Sequence, residues 1–188
     1  NFDGENTLGW EAHGSTLEFS DAYGYGTEGK SAHVSWSASG WNGFKTKSNV
    51  TITLEKTGLA FWAYNAGSDL SNFCVVLLQG DTKYEAKITL KAGEAIYQIP
   101  WTDFVKNGVS VDSTQTVRQI DFTKSAASAD YYIDQIGCYT GDAVQSEFVA
   151  STIAMPDNYT AIDNFDSVSA LNWEANKSTA ELSADRGY

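Results

Sequence analysis

Apolar and polar residues alternate with a period of two along most of the first 140 positions. Val50, Ile52 and Leu54 alternate with Thr51 and Thr53, and Leu59, Phe61 and Ala63 with Ala60, Trp62 and Tyr64. Ile96, Gln98 and Pro100 oppose Tyr97, Ile99 and Trp101; Ile120 and Phe122 oppose Asp121 and Thr123. This period predicts half-buried antiparallel strands, because successive side chains leave opposite faces of a pleated backbone. Turn-forming clusters divide the strands: Gly24-Tyr25-Gly26, Gly40-Trp41-Asn42-Gly43, Ala66-Gly67-Ser68-Asp69, Gly80-Asp81, Ala92-Gly93-Glu94 and Lys106-Asn107-Gly108. About eight to ten short strands at this spacing predict an all-β chain, an antiparallel β-sandwich or jelly roll. The one helical turn expected runs from Trp101 to Val105, directly after Pro100.

The chain repeats its own opening. Residues 1–25 and 164–188 align without gaps at an offset of 163, with 13 of 25 positions identical, Phe2/Phe165, Asp3/Asp166, Trp10/Trp173 and Tyr25/Tyr188 among them. Matches that include Trp and Phe are not compositional bias, so the pattern predicts a module over 1–140 followed by the start of a second copy over 164–188. Residues 141–163 between them are rich in small and polar side chains and read as a linker, with a short apolar stretch from Phe148 to Met155. An opening strand without its own partner strands is expected to pair with another sheet edge, as in a strand-exchanged dimer through 164–188.

Composition narrows the function classes. The 188 residues carry 24 Asp and Glu against 12 Lys and Arg, net −12, which argues against a nucleic-acid or anionic-membrane partner. No apolar run approaches membrane-spanning length; Cys74 to Leu78 is among the longest. The start at Asn1 without a Met reads as a piece of a larger protein. Half of the excess charge lies in residues 141–188, so acidity says little about the ligand of the first module. Two cysteines, Cys74 and Cys138, cannot form a disulfide framework and are expected as buried thiols; a single bridge is the alternative.

Catalytic signatures are sparse. His13 and His33 lack zinc-site spacing, and no nucleophile elbow or phosphate loop occurs. Paired carboxylates far apart in sequence remain open, and with them a lyase or hydrolase. The aromatics are more informative: six Trp, ten Tyr and nine Phe exceed the needs of one small core. If Leu59, Phe61 and Ala63 face the core, Trp62 and Tyr64 face away from it, either as a platform or beneath a loop. Trp41 in its Gly-flanked turn is expected to be exposed. Trp36 shares parity with Ala32 and Val34 and is expected in the core unless a strand end releases it. An exposed indole suits the C–H face of a sugar ring, while nearby Asp, Gln, Arg or Lys bond the hydroxyl rim. A structural or protein-binding sandwich is the other reading.

The order FDG…GW, YGYGTEGKSAHVSW…GWNGF, GEAIYQIPWTDF, VRQIDF and YYIDQIGCY resembles carbohydrate-binding modules of bacterial plant-cell-wall enzymes, those of family 11 above all, with families 30 and 44 as relatives. The resemblance spans most of residues 1–140. It implies a galactose-binding-like β-sandwich that binds β-glucan without catalysis, secreted as part of a glycoside hydrolase beside its tandem neighbour. It places cleft positions at Trp41, His13, near Asp81, at Arg118 and at Lys124; the last two, with His13, differ in chemical type from the family's residues. It also implies a structural Ca²⁺ held by Asp3, the stretch 26–30 and Asp134; in the alternative, both carboxylates cap turns.

Overall fold

A computed structural model describes residues 2, 8–26, 29–141 and 159–161. The strands are β1 (Glu11–His13), β2 (Thr16–Ser20), β3 (Ser31–Trp36), β4 (Gly40–Lys45), β5 (Ile52–Thr53), β6 (Gly58–Asn65), β7 (Leu70–Gln79) and β8 (Thr82–Leu90). They continue with β9 (Gly93–Pro100), β10 (Val105–Lys106), β11 (Val109–Ser110), β12 (Thr116–Val117), β13 (Gln119–Ala126), β14 (Ala129–Tyr139) and β15 (Tyr159–Ala161). A seven-stranded sheet runs β1-β4-β13-β7-β8-β10-β11, and a six-stranded sheet runs β2-β3-β14-β6-β9 with β15 as its sixth strand, paired to β14 off this path. All their pairings are antiparallel, so the expected all-β sandwich is the fold. The only helical turn among the described residues is the 3₁₀ segment Trp101–Asp103, which follows Pro100 as expected.

Alternation sends one set of side chains from each sheet into a shared core. Phe44, Phe122, Ile120, Val75 and Leu77 come from the seven-stranded sheet, and Val34, Trp36, Leu59, Phe61, Tyr131 and Ile133 from the other. Aromatic rings carry the contact between layers. Phe122 stacks on Phe44 (5.2 Å between centroids, 12° between planes) and meets Phe61 of the opposite sheet edge-on at 5.1 Å and 79°. Phe73 and Tyr131 make a second edge-on contact across the layers, at 5.3 Å and 89°. Both geometries suit aromatic quadrupoles.

Three local features depart from the sequence expectation. Gly40 to Gly43 form strand rather than turn, because Gly43 serves a close approach: a Cβ there would lie 1.9 Å from the Phe122 carbonyl oxygen on β13. The interval 141–163 is not linker throughout, since 159–161 pairs antiparallel with Gly137–Tyr139. β14 shifts register between Asp134 and Gly137, where Gln135 has φ 49°. Asp134 organises this bulge: Oδ1 accepts the Gln135 N–H at 2.7 Å and Oδ2 accepts the Tyr25 N–H at 3.1 Å. The second bond lays the segment around Tyr25 over the outside of the six-stranded sheet. There Tyr25, Trp62, Ile96 and Tyr132 make a small second core.

Cys74 and Cys138 are free, buried and on different sheets, as the two-thiol expectation has it. Residues 164–188, with the expected exchanged strand, lie outside the described residues.

Phe122 touches aromatic partners in both layers, and its truncation leaves a cavity neither layer can close alone. Phe122→Ala should lower unfolding free energy by about 3–5 kcal/mol, measured by urea denaturation; a loss below about 1 kcal/mol would contradict the inter-layer role.

Candidate functional site

The register of the seven-stranded sheet fixes what its outer face presents. Residues directly opposite each other share a face, so one row reads Glu11, Lys45, Asp121, Val76 and Glu85 across β1, β4, β13, β7 and β8. The next reads His13, Gly43, Thr123, Cys74 and Lys87, and a third holds Gln119, Leu78 and Lys83. Trp41 and Ser125 lie beyond, at one end. The middle of the face is low and buried, with Gln119, Asp121, Thr123, Cys74, Val76 and Leu78 all under 9% exposed. Longer side chains stand on its two sides: Glu11, His13 and Lys45 on β1 and β4, Lys83, Glu85 and Lys87 on β8. Gly43 adds no side chain and keeps the row open beside Trp41. The result is a shallow trough whose floor is half polar (Gln119, Asp121, Thr123) and half apolar (Cys74, Val76, Leu78).

Trp41, at 57% exposure, is the most exposed aromatic among the described residues. The floor contributes the unusual electrostatics. Asp121 is 7% exposed, and its Oδ1 has no hydrogen-bond partner among the described residues; nor has the buried His13 Nδ1. His13 Nδ1 lies 3.7 Å from Asp121 Oδ2. Burial pushes the Asp121 carboxyl above the ordinary aspartate range, against the opposing pull of His13, Lys45 and Lys83. Lys45 is partly engaged by Glu11 at 3.6 Å. A desolvated carboxylate oxygen without a partner adds to the cost of burial, and a hydroxyl could satisfy it only once the side chains covering it move aside. Cys74, on the same floor, has its thiol pushed up by burial first and the nearby Glu85 next, so it is not poised as a nucleophile.

The structure separates the residues singled out in the sequence. Trp41 and His13 lie on the trough. Trp62 and Tyr64 lie on the outside of the six-stranded sheet, on β6, so the three aromatics do not share one surface. Trp62 is 1% exposed beneath the Tyr25 segment, and Trp36 is core, with Nε1 donating to the Ala126 carbonyl at 3.1 Å. Tyr64 stacks on Tyr23 at 4.2 Å and 17°, and Tyr132 beside them stacks on His33 at 4.3 Å and 6°. His33 is held in turn by Asp130 at 3.0 Å.

Arg118 and Asp81 form a junction at the sheet end. Arg118 donates to the carbonyls of Gly80 (2.6 Å) and Ser48 (3.0 Å) and to the fully exposed Asp81 carboxylate (3.0 Å). The arginine therefore ties three loops together. Lys124 has the inward parity of Phe122 and reaches the sheet rim half-buried. An open cleft of about 910 Å³ follows β9, lined by Tyr64, Lys87, Glu94 and Tyr97 among others, and includes neither Trp41 nor Asp121. Burial raises the Glu94 carboxyl there. Aiming from the core rather than from the resemblance would have found Asp121: it lies between the inward-facing Ile120 and Phe122.

The described residues contain no cluster of three side chains able to hold a metal. Asp134 is buried with both oxygens accepting backbone N–H groups, so this part of the loop is organised by hydrogen bonds. Asp3, the other expected calcium ligand, and positions 27 and 28 of the expected stretch 26–30 lie outside the described residues.

No protein-family description and no curated protein matches the sequence. Solved structures do match in shape. An exo-β-agarase superposes with TM-score 0.58 at 12% identity over 71% of this chain; the match covers 23% of the agarase, so this chain spans under a quarter of that protein. The family 11 carbohydrate-binding module of the Clostridium thermocellum cellulosomal cellulase Lic26A-Cel5E superposes with TM-score 0.53 at 15% identity, over 72% of this chain and 89% of the module. A family 11 module from the same organism, in complex with a β-1,3-1,4-mixed-linked tetrasaccharide, gives 0.52 at 16%, over 71% and 90%. The chain thus shares the β-sandwich fold of the carbohydrate-binding modules that its sequence resembles.

Proposed function

We propose that this chain is a non-catalytic carbohydrate-binding module that holds an uncharged β-glucan along the outer face of its seven-stranded sheet. The observation that carries the reading is the pairing on one face of an exposed indole, Trp41, with a buried carboxylate, Asp121, whose Oδ1 has no partner among the described residues. A sugar ring offers an apolar face for the indole and, once the side chains over Asp121 move aside, a hydroxyl donor for the carboxylate. The mixed-linkage tetrasaccharide bound by a module of the same fold supports the glucan class, with cellulose and xyloglucan as further members of it. In the full-length protein the module would bring an appended glycoside hydrolase to plant cell wall outside the cell.

Affinity for one chain should lie roughly between micromolar and millimolar, because a few stacked rings must offset the ordering of the sugar. Calorimetry against cellulose oligomers, mixed-linkage glucan and xyloglucan tests the reading; no heat with any of them, or new reducing ends released by the protein alone, would overturn it. Within that panel Trp41→Ala should weaken binding about five- to tenfold, for the loss of roughly 1 kcal/mol of stacking. Trp62→Ala should leave affinity unchanged and lower the melting temperature, since its ring is covered.

Asp121→Asn separates binding from stability. An aspartate whose folded pKa lies above its unfolded value of about 3.9 contributes most below that value and loses the contribution as pH rises through the folded pKa. Asp121→Asn should therefore raise the melting temperature relative to the unsubstituted protein at pH 7, with the difference shrinking toward pH 3. The same substitution should weaken glucan binding about tenfold, the worth of one hydrogen bond to a charged group. Lower stability at pH 7 with unchanged affinity would remove Asp121 from the site.

A further inference from the structure

The outer face of the six-stranded sheet carries one row that the Tyr25 segment leaves partly open. Residues directly opposite each other run Glu18, His33, Tyr132, Tyr64 and Glu94 across β2, β3, β14, β6 and β9. The row alongside, with Trp62 opposite Ile96, belongs to the second core beneath Tyr25. Tyr23 lies over the open row and, at 43% exposure, is the most exposed aromatic after Trp41 among the described residues. It stacks on Tyr64 at 4.2 Å and meets Tyr132 edge-on at 4.9 Å and 61°. Tyr64 is fixed by these rings and also lines the cleft of about 910 Å³ that follows β9.

The cleft lies where the sandwich is open at its side. β9 ends its sheet, and among the described residues no strand pairs its second edge. β8 meets β10 only at Glu85, so the edge of residues 86–90 is free as well. Such edges present main-chain donors and acceptors in a row. Side chains add both signs of charge: Lys87 from β8, Glu94 from β9 and Asp103 from the 3₁₀ turn, while Lys91 and Asp69 hold each other at 2.9 Å. Burial alone raises the Glu94 carboxyl, with no cation among the described residues drawing it back. An anionic chain would meet Glu94 and Asp103 here, and a cationic one Lys87. An uncharged polyhydroxyl chain meets no like charge, because each hydroxyl both donates and accepts. The volume falls within the roughly 300–1,000 Å³ of ligand sites, and Tyr64 supplies aromatic surface for a sugar ring.

We propose that the cleft along β9, headed by Tyr64 and Glu94, is a second glucan-binding site, so that one module holds two chains at once. This rests on the glucan reading of the trough and extends it. The trough and the cleft flank β8, and Lys87 stands at the border of both. Trp41 and Tyr64 lie on different sheets, so each serves its own chain. Tyr64 is already held by Tyr23 and Tyr132, which lowers the ordering cost of binding there. Two sites strengthen retention on a fibre, where neighbouring chains are at high local concentration, and add nothing to the affinity of either site for a short soluble oligosaccharide.

Amide NMR of the full chain, titrated with cellotetraose and with a β-1,3-1,4-mixed-linked tetrasaccharide, separates the two sites. Two sets of shifted amides are expected, one over 41–45 and 119–125 and one over 93–99, each saturating with its own affinity. Trp41→Ala should weaken the first set about five- to tenfold and leave the second within about twofold. Glu94→Gln keeps the shape and removes the charge; it should weaken the second set about fivefold and leave the first within about twofold. Tyr64→Ala should act on the same set as Glu94→Gln. Shifts confined to the trough strands, or a second set that weakens with Trp41→Ala and ignores Glu94→Gln, would overturn the second site while the glucan reading stands. No shifts with either sugar would overturn both.

Discussion

The ring of Phe122 between the two sheets is the contact on which the remaining geometry depends. It stacks on Phe44 in its own layer and meets Phe61 edge-on in the other. Because a strand alternates strictly, an inward Phe122 obliges Asp121 and Thr123 to face outward. The close approach of β4 that accompanies this packing admits only glycine at position 43. One apolar contact therefore sets the layer separation, aims the carboxylate and clears the ground beside Trp41.

The trough follows with a cost built in. Carboxylates seldom stay buried without a full set of partners, since desolvation outweighs what distant lysines return. Asp121 is surrounded by His13, Lys45 and Lys83, yet its carboxyl remains shifted toward the neutral form. A covered position on an outer face that opposes stability is where binding function and folding compete. The opposite sheet shows the contrasting solution. Trp62 and Ile96 also point away from the main core, but the segment around Tyr25, anchored by Asp134, covers them and makes a second core. The two outer faces of one sandwich thus have different fates, one roofed by its own chain and one left open.

Much of this was legible in the alternation of residues. The parity that set Leu59, Phe61 and Ala63 against Trp62 and Tyr64 holds in β6, and Trp36 is buried with Ala32 and Val34 as its spacing indicates. The turn after Pro100 was equally plain, because proline fixes a helix start. What alternation cannot convey is which sheet a strand joins. Trp41 and Trp62 both face outward, yet β4 and β6 lie in different layers, so the two aromatics stand apart. Cross-strand register is likewise a tertiary property, and motif alignment put the expected cleft carboxylate on Arg118, three residues before Asp121. The Gly40-Trp41-Asn42-Gly43 run misled for a different reason: glycine marks close backbone approach as well as turns.

The sheet orders carry a consequence for how the chain reaches its native state. β13 lies between β4 and β7 in one sheet, and β14 lies between β3 and β6 in the other. Each layer therefore consists of two halves that meet only through one of two late, consecutive strands, β13 in one sheet and β14 in the other. During synthesis at about 5–20 residues per second, roughly 4–15 s separate the emergence of β4 from that of β13. By the end of that interval β3, β4, β6 and β7 expose the edges that β13 and β14 will later cover. Such vectorial delay favours chains whose early strands resist pairing with strangers, and it makes the insertion of β13 and β14, one into each sheet, the step that commits both layers.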